Sequence, residues 1–172
     1  MGKIPPMATP PRTAPDARHA VQSDPKLLLP TLRIRVEAMI AALRAEGQNP
    51  KLFETGRSPE RAVWLGSTGK SRNGIGSLHC LGAAADLVDA AHGWSNPAFF
   101  VALGRVAQAY GLTWGGDWDS NPATDQTFDD RPHVQAVPVP MQNGLRACKT
   151  AETRERFISD YLRAHPMPAV PL

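Results

Sequence analysis

The sequence predicts an α+β domain, with helices before, between and after a few short strands. Two observations carry this prediction. Some segments have apolar residues at helical spacing, whereas others are short apolar or alternating runs that are typical of strands. The chain has 172 residues, 42% of them hydrophobic, so it is long enough to bury one sizeable core. It contains no internal repeat.

Two helices are predicted in the first half of the chain. The first spans residues 31–46, and the glycine that follows, Gly47, terminates it. Its apolar residues recur at helical intervals: Leu32, Val36, Met39, Ile40 and Leu43. The second helix begins at Ser58 and Pro59, where a capping side chain precedes a proline of the first turn, and runs to about Leu65.

Two further helices are predicted after a glycine-rich loop at residues 66–76. Asn96 and Pro97 open the third helix, AFFVALGRVAQAYG, which ends at Gly111. Thr150 caps the last helix, AETRERFISDYLRAH, which is amphipathic.

Three segments indicate strands. AADLVD, residues 84–89, is a short apolar run suited to a buried strand, although periodicity alone does not separate it from a helix. LTWGGDW, residues 112–118, is predicted to be a strand that leads into a glycine turn, followed by a polar loop at residues 119–131. HVQAVPV, residues 133–139, alternates like a strand whose later part is placed at a sheet edge by Pro138.

Prolines are concentrated at both ends of the chain, before residue 26 and after residue 165. Segments of this composition remain extended or disordered. We therefore expect a flexible N-terminal tail at residues 1–26, one folded domain at residues 27–165 and a flexible C-terminal tail at residues 166–172.

Charge and composition exclude several classes of protein. A net charge of +3 suits an anionic partner, but the basic residues are scattered and form no Lys/Arg-rich run interleaved with aromatic residues, which argues against nucleic-acid binding. No apolar run is long enough for membrane insertion, and the N-terminus has no apolar core of signal-peptide length. We expect synthesis in the cytoplasm. Cys80 and Cys148 are either two reduced thiols or one bridge.

The stretch SLHCLGAAADLVD contains two potential metal ligands, His79 and Asp86, around a run of small residues. Histidine nitrogen and carboxylate oxygen suit zinc, and three protein ligands leave a fourth position for water. His133 is the obvious third ligand, and Asp130, three residues before it, would face the metal-bound water. The small residues 82–85 let the backbone pack closely while the two ligands project into the site.

Other residues near this pattern have competing interpretations. Asp129 competes with Asp130 as the base, and the spacing to His133 favours Asp130. Trp114 and Trp118 are expected to be wall or core residues, since large aromatic side chains dominate core packing.

Asp117 lies between these tryptophans and has two interpretations. Its carboxylate would either brace a histidine ligand or belong to the glycine turn.

Three separated blocks agree in residue type and order with one enzyme family. They are Ser77-x-His79-x-x-Gly82-x-Ala84-x-Asp86, Trp114-Gly115-Gly116-Asp117-Trp118 and Asp130-x-Pro132-His133. The pattern resembles the zinc peptidases that cut peptides containing D-amino acids in bacterial cell walls. That family includes D-alanyl-D-alanine carboxypeptidases and dipeptidases, and the L-alanyl-D-glutamate endopeptidases that many phages use as endolysins. The resemblance covers roughly residues 50 to 137.

The resemblance implies roles for five residues. His79, Asp86 and His133 would be the zinc ligands, and Asp130 would be the catalytic carboxylate. Arg57, in the segment GRSPERA, would steady the substrate or the developing oxyanion. The implied fold is that of the Hedgehog and D-Ala-D-Ala peptidases, a small antiparallel sheet flanked by helices with the zinc site on the sheet.

The implied function is hydrolysis of an amide bond in the peptidoglycan stem peptide by a metal-activated water. Our first expectation is a monomeric, endolysin-type L-alanyl-D-glutamate endopeptidase, made in the cytoplasm (of the host, if phage-encoded) and acting on the wall after release. A D-alanyl-D-alanine carboxypeptidase is the alternative. A non-catalytic, zinc-stabilised wall-binding module is a further one, and it would close the fourth zinc position with a protein ligand instead of supplying Asp130.

Overall fold

The computed structural model describes residues 16–118 and 129–168. Within these ranges the helices are α1 (Pro30–Ala45), α2 (Pro59–Ser67), α3 (Pro97–Ala109), α4 (Gln142–Ala147) and α5 (Ala151–Arg163). The strands are β1 (Pro50–Glu54), β2 (Ala84–Asp89), β3 (Thr113–Trp114) and β4 (His133–Gln135). They form one antiparallel sheet in the order β1-β2-β4-β3. This confirms the predicted α+β class and the small antiparallel sheet flanked by helices.

The predicted helix starts are confirmed by their caps. The Ser58 side chain accepts a hydrogen bond from the backbone N–H of Arg61, and the Asn96 side chain accepts one from Phe99. At the start of α5, Thr150 forms a reciprocal capping box with the residue three positions on. These caps satisfy N–H groups that have no partner within the helix.

Two of these α-helices and strands, β1 and α4, were not predicted from the sequence. β1 has the burial pattern of a strand with mixed faces and no clean alternation, and it begins with a proline. α4 is a six-residue helix that contains Gly144, so it is too short to show a periodic apolar pattern.

The strand predicted over residues 133–139 is shorter than expected. β4 ends at Gln135, and the backbone N–H of Ala136 makes one further hydrogen bond to Ala83. β4 lies between β2 and β3, where a strand needs N–H donors on both sides. Pro138 has no N–H to offer, and the chain turns into a 3₁₀ helix at Val139–Met141.

The core lies on one face of the sheet. Helix α1 contacts α3 and α5, and α3 also contacts β2 and β3. All six residues of β2 are buried, and Leu87 belongs to the core with α1 and α3. Because successive residues of a strand point to opposite faces, Asp86 points away from this helical layer. The second face of the sheet is therefore the one that carries polar chemistry.

The described part of the predicted N-terminal tail runs along the corner between β1 and α2. Thr55 donates its backbone N–H to the Gln22 carbonyl at 2.7 Å and its hydroxyl to the Asp24 carbonyl at 2.7 Å. The domain limits at residues 27 and 165 stay a prediction. Residues 1–15 and 169–172 of the predicted tails, and residues 119–128 of the predicted loop, lie outside the described residues.

Two expectations concern cysteines and membranes. Cys80 and Cys148 are free thiols, which decides between the two alternatives. None of the described helices is both long enough and apolar enough to span a bilayer.

Candidate metal centre

Two histidines and one aspartate converge at the polar face of the sheet. His79 Nε2 lies 3.1 Å from His133 Nδ1 and 3.2 Å from Asp86 Oδ1, and His133 Nδ1 lies 3.1 Å from the same oxygen. All three side chains are buried. The structure thus brings together the three residues that the sequence predicted as ligands.

The sheet register and one turn explain this convergence. Asp86 and His133 are direct partners on β2 and β4, and partners in an antiparallel pair project from the same face. His79 lies in the 3₁₀ turn Leu78–Leu81, which ends at Gly82. Gly82 has φ +67°, and a Cβ there would lie 2.6 Å from the Leu27 carbonyl oxygen. Only glycine combines this left-handed conformation with such a close approach.

The donor set fits a divalent metal such as zinc. Two imidazole nitrogens and a carboxylate oxygen point at one another at 3.1–3.2 Å. Zinc bonds of about 2.0–2.1 Å at tetrahedral angles place ligand atoms about 3.3 Å apart. Among the described residues this cluster has three candidate ligands. Three protein ligands are typical of a catalytic site, whereas a structural site has four.

The cluster is strongly coupled electrostatically. Burial alone would raise the pKa of Asp86, but attraction to His79 and hydrogen bonds with both histidines outweigh it and hold the pKa well below its usual range. Burial alone would lower the pKa of His133, but the hydrogen bond and charge of Asp86, with a further contribution from Asp130, raise it. Asp86 is therefore ionised, and His133 holds a proton more readily than an exposed histidine.

Asp130 is placed beside this cluster by the backbone. Its carbonyl accepts the His133 N–H at 2.9 Å, and its own N–H donates to the Gly115 carbonyl at 2.9 Å. Burial raises the pKa of Asp130, and the neighbouring Asp86 adds to this, whereas the charge of His133 acts in the opposite direction. Asp130 lines the same cavity as the three candidate ligands.

Asp129, the competing base, lies elsewhere. Its carboxylate is exposed and pairs with Arg131 at 2.7 Å. It lines a separate cavity of about 230 Å³ with Trp94 and Pro132. The placement of the two aspartates favours Asp130.

Arg57 reaches the cavity from the corner between β1 and α2. Glu54 accepts hydrogen bonds from its Nε at 3.1 Å and from its Nη2, and Ser77 Oγ accepts one from its Nη1 at 3.2 Å. A guanidinium carries five N–H donors, and these contacts use three of them. With no further acceptor for Arg57 among the described residues, two donors are left for a substrate oxygen.

Glu54 is the first functional residue that the sequence analysis missed. It is 1% exposed and also accepts a hydrogen bond from Arg61 Nε at 2.7 Å. Burial would raise the pKa of Glu54, but the hydrogen bonds from Arg57 and Arg61 outweigh it and lower the pKa. The spacing Glu54-x-x-Arg57-x-x-x-Arg61 is the signal that the sequence offers for this group. It was missed because Glu54 ends a strand, β1, that was not predicted.

Gln135 is the second missed residue. Its Oε1 lies 3.2 Å from His133 Nε2, on the side of the ring that faces away from the cluster. Position 135 is two residues after His133, so strand alternation places both side chains on one face. Asp117, considered as a histidine brace, instead accepts a hydrogen bond from Gln108 Nε2 at 3.1 Å.

The tryptophans occupy the positions expected of wall and core residues. The Trp118 ring lies 5.3 Å from the His133 ring, centroid to centroid, and lines the cavity. Trp114 packs against the core, where a Cβ on Gly104 would lie 2.4 Å from its ring.

The cavity around the cluster has a volume of about 470 Å³. Its lining includes four cationic side chains and three anionic ones: Arg57, Arg61, Lys70, Arg72, Glu54, Asp86 and Asp130. A divalent ion would make the lining clearly positive, which suits an anionic ligand.

Comparison with known families supports the same assignment. A family model described as D-alanyl-D-alanine carboxypeptidase matches residues 70–136, a segment that contains His79, Asp86, Asp130 and His133. The matched segment, which is less than half of the chain, is similar to this family of peptidases. Arg57 lies outside it.

Two solved structures are similar to this chain. The L-Ala D-Glu endopeptidase ChiX of Serratia marcescens shares 26% sequence identity, and the match covers 70% of this chain and 92% of that chain with a TM-score of 0.49. The LdcB LD-carboxypeptidase shares 17% identity, covering 81% of this chain and 70% of that chain with a TM-score of 0.45. A search of curated protein sequences found no match.

Proposed function

We propose that this protein is a zinc-dependent peptidoglycan hydrolase that cleaves an amide bond of the stem peptide with a metal-activated water. The observation that carries the proposal is the meeting of His79, Asp86 and His133, within 3.2 Å of one another, in a cavity that also contains Asp130 and Arg57. Three ligands and a nearby carboxylate are the components that metal-assisted hydrolysis requires.

His79, Asp86 and His133 would hold the ion. When bound, zinc lowers the pKa of a coordinated water toward about 7 and polarises the scissile carbonyl. Asp130 takes the proton of the attacking water and delivers it to the departing amine. Its raised pKa suits this exchange, because a base with a pKa closer to the working pH both accepts and returns a proton.

Arg57 stabilises the negative charge that develops on the substrate oxygen. Its two remaining N–H donors provide this contact, while Glu54 holds the guanidinium from the opposite side. Because Glu54 is buried and ionised, the guanidinium is fixed before the substrate arrives. A preorganised donor of this kind loses little energy to rearrangement during the reaction.

An L-alanyl-D-glutamate endopeptidase of the endolysin type is our first choice for the reaction. An endopeptidase needs room on both sides of the scissile bond. Trp94 borders both the 470 Å³ cavity and the neighbouring 230 Å³ cavity, so the depression continues past it. The positive lining and the net charge of +3 also suit the carboxylates of stem peptide and wall.

A D-alanyl-D-alanine carboxypeptidase is the second candidate, because the matching family model carries that description. The two activities release different products from the same substrate. Endopeptidase cleavage creates a free amine on D-glutamate, whereas carboxypeptidase cleavage releases D-alanine. Mass spectrometry of products from a defined peptidoglycan digest decides between them.

The experiment that tests the hydrolase proposal compares wild type with Asp130→Ala on purified sacculi. We expect the wild type to release muropeptides and Asp130→Ala to release none while both retain zinc. If both proteins bind zinc and both leave the sacculi intact, the hydrolase proposal fails and the alternative of a non-catalytic wall-binding module is favoured. For the endolysin role, we expect cytoplasmic expression to cause lysis only after the membrane is permeabilised. Light scattering checks the expected monomer.

A further inference from the structure

Gln135 contacts the side of the His133 imidazole that faces away from the candidate metal centre. His133 Nδ1 points to the cluster, and its Nε2 lies 3.2 Å from Gln135 Oε1. Gln135 is 1% exposed, although an amide side chain usually lies at the surface. A buried amide needs hydrogen-bond partners for both of its polar atoms, and these partners determine which atom faces the histidine.

The orientation of the Gln135 amide is fixed by two neighbours. Its Nε2 donates to the Val137 carbonyl at 2.6 Å, and a carbonyl can only accept. The oxygen is therefore the atom that faces His133. Gln142, at the start of α4, donates its Nε2 to that same oxygen at 3.1 Å. Reversing the amide would set its N–H₂ group against the Gln142 donor and leave two carbonyl oxygens in contact.

This orientation selects one tautomer of His133. An amide oxygen only accepts, so the hydrogen bond requires that His133 Nε2 carries the hydrogen. In the metal-free protein Asp86 Oδ1, 3.1 Å from His133 Nδ1, competes for the single hydrogen of a neutral ring, and a metal ion at the site removes this competition. With its hydrogen on Nε2, His133 directs the Nδ1 lone pair at the candidate metal centre. His79 differs in this respect, because its Nδ1 is buried without a hydrogen-bond partner among the described residues.

We propose that Gln135 is a positioning residue, which holds His133 in the Nε2–H tautomer with its Nδ1 lone pair available to the metal. This rests on the metal site of the proposed function but does not depend on which bond is hydrolysed. Partners of this kind orient metal-binding histidines, and their loss typically costs roughly 10- to 100-fold in metal affinity. Gln135 acts through His133 and contacts neither substrate nor reacting atoms.

The test uses the full chain, stripped of metal, and zinc as the probe. Gln135→Met keeps the length and loses the acceptor, so we expect zinc affinity, measured by competition with a chromophoric chelator, to fall roughly 10- to 100-fold. Gln135→Glu retains an acceptor for His133 Nε2 and should restore most of that loss. Gln48→Met is the matched control: Gln48 lies between α1 and β1, outside the lining of the cavity, so zinc affinity should change by less than about threefold.

A second measurement reads the tautomer directly. Long-range ¹H–¹⁵N spectra of the zinc-loaded wild type should show His133 with its hydrogen on Nε2 and its Nδ1 bound to the metal. In zinc-loaded Gln135→Met the Nε2 hydrogen loses its acceptor and should exchange faster with water. A merely structural role for Gln135 would lower thermal stability without changing this exchange.

Two results would overturn the proposal. One is a zinc-loaded wild type in which His133 binds the metal through Nε2 and carries its hydrogen on Nδ1, which tests the idea even if Gln135→Met fails to fold. The other is unchanged zinc affinity in a folded Gln135→Met. If the wild type binds zinc with the expected tautomer but leaves peptidoglycan intact, the proposed function fails and the role of Gln135 stands.

Discussion

Glu54 and Asp86 are partners on β1 and β2, so two buried carboxylates are neighbours on one face of the sheet. Like charges at this spacing repel each other, and positive or hydrogen-bonding partners beside each carboxylate offset that repulsion. Glu54 binds Arg57 and Arg61, whereas Asp86 contacts the two histidines. The two neighbouring carboxylates thus differ in role: Glu54 holds the arginines, and Asp86 belongs to the candidate metal centre.

Removing the charge of Glu54 should destabilise the fold. Glu54→Gln leaves two largely buried guanidinium groups without their carboxylate, and breaking such a pair costs about 3–5 kcal/mol. We expect a loss of this order in the free energy of unfolding, measured with denaturant. Glu37→Gln, on the exposed side of α1, is the control and should change stability by less than about 0.5 kcal/mol. Equal stability of both variants would contradict the role assigned to Glu54.

The candidate metal centre was predictable from the sequence because its residues are specific in type, spacing and order. His79, Asp86 and His133 are brought together by a turn and one strand register. The residues that support them were not predictable in the same way. Glu54 is the last residue of β1, a strand without a clear alternating pattern. The contact of Gln135 with His133 depends on the orientation of the Gln135 amide, which is set by Val137 and Gln142.

Strand length shows a similar limit. The alternation of HVQAVPV continues to residue 139, whereas β4 ends at Gln135. Alternation predicts one buried face, and Val134 and Ala136 are buried as it predicts, although Gln135 between them is buried as well. It does not report hydrogen bonding, and hydrogen bonding determines where a strand ends.

Asp130 should govern the acid limb of the pH–rate profile. The raised pKa of Asp130 means that the carboxylate becomes protonated, and unable to accept a proton, at a higher pH than an exposed aspartate. We expect kcat to fall as pH decreases through this raised pKa. Asp130→Asn should lower kcat roughly 10²- to 10⁴-fold at all pH values and abolish that limb.

The control for Asp130 is Asp129→Asn, which changes an exposed residue and should leave kcat within about twofold. Zinc content must be measured at each pH, because protonation of the histidines also releases the metal. An acid limb that persists in Asp130→Asn with full zinc content would assign the titration to another group.

Stability of the metal-free protein should depend on the His133–Asp86 pair. The pKa of His133 is raised in the folded state, so the pair contributes fully below the unfolded pKa of about 6.5. Its contribution is lost as pH rises through the raised pKa. We therefore expect the unfolding free energy of the metal-free protein to decrease from mildly acidic to mildly alkaline pH. The zinc-loaded protein should not show this decrease, because the metal binds in place of the proton.

Calorimetry of zinc binding checks the same linkage. At neutral pH the metal should displace protons, so the measured enthalpy should vary with the ionisation enthalpy of the buffer. His133→Ala should reduce both the proton release and the zinc affinity. A buffer-independent enthalpy in the wild type would show that the cluster is already deprotonated before zinc binds.

Gly115 should be intolerant of any side chain. A Cβ at this position would lie 2.3 Å from the Asp130 carbonyl oxygen and 3.0 Å from His133 Cβ. Because the nearer atom belongs to the backbone, Gly115→Ala must displace the segment that carries both Asp130 and His133. We expect a stability loss of about 1–3 kcal/mol, with a fall in kcat of about 10²-fold from misplacement of the reacting groups.

Gly66→Ala distinguishes this steric effect from a general loss of glycine. Gly66 lies in α2, and a Cβ there would contact only Gly74 Cα at 3.6 Å, an ordinary van der Waals distance. Alanine is the better helix former by up to about 1 kcal/mol, so this variant should be as stable as the wild type or more stable. If Gly115→Ala folds with unchanged stability and activity, the backbone at Asp130 can shift without affecting the site. The close contact between Gly115 and Asp130 would then have no role in placing the Asp130 carboxylate beside the candidate metal centre.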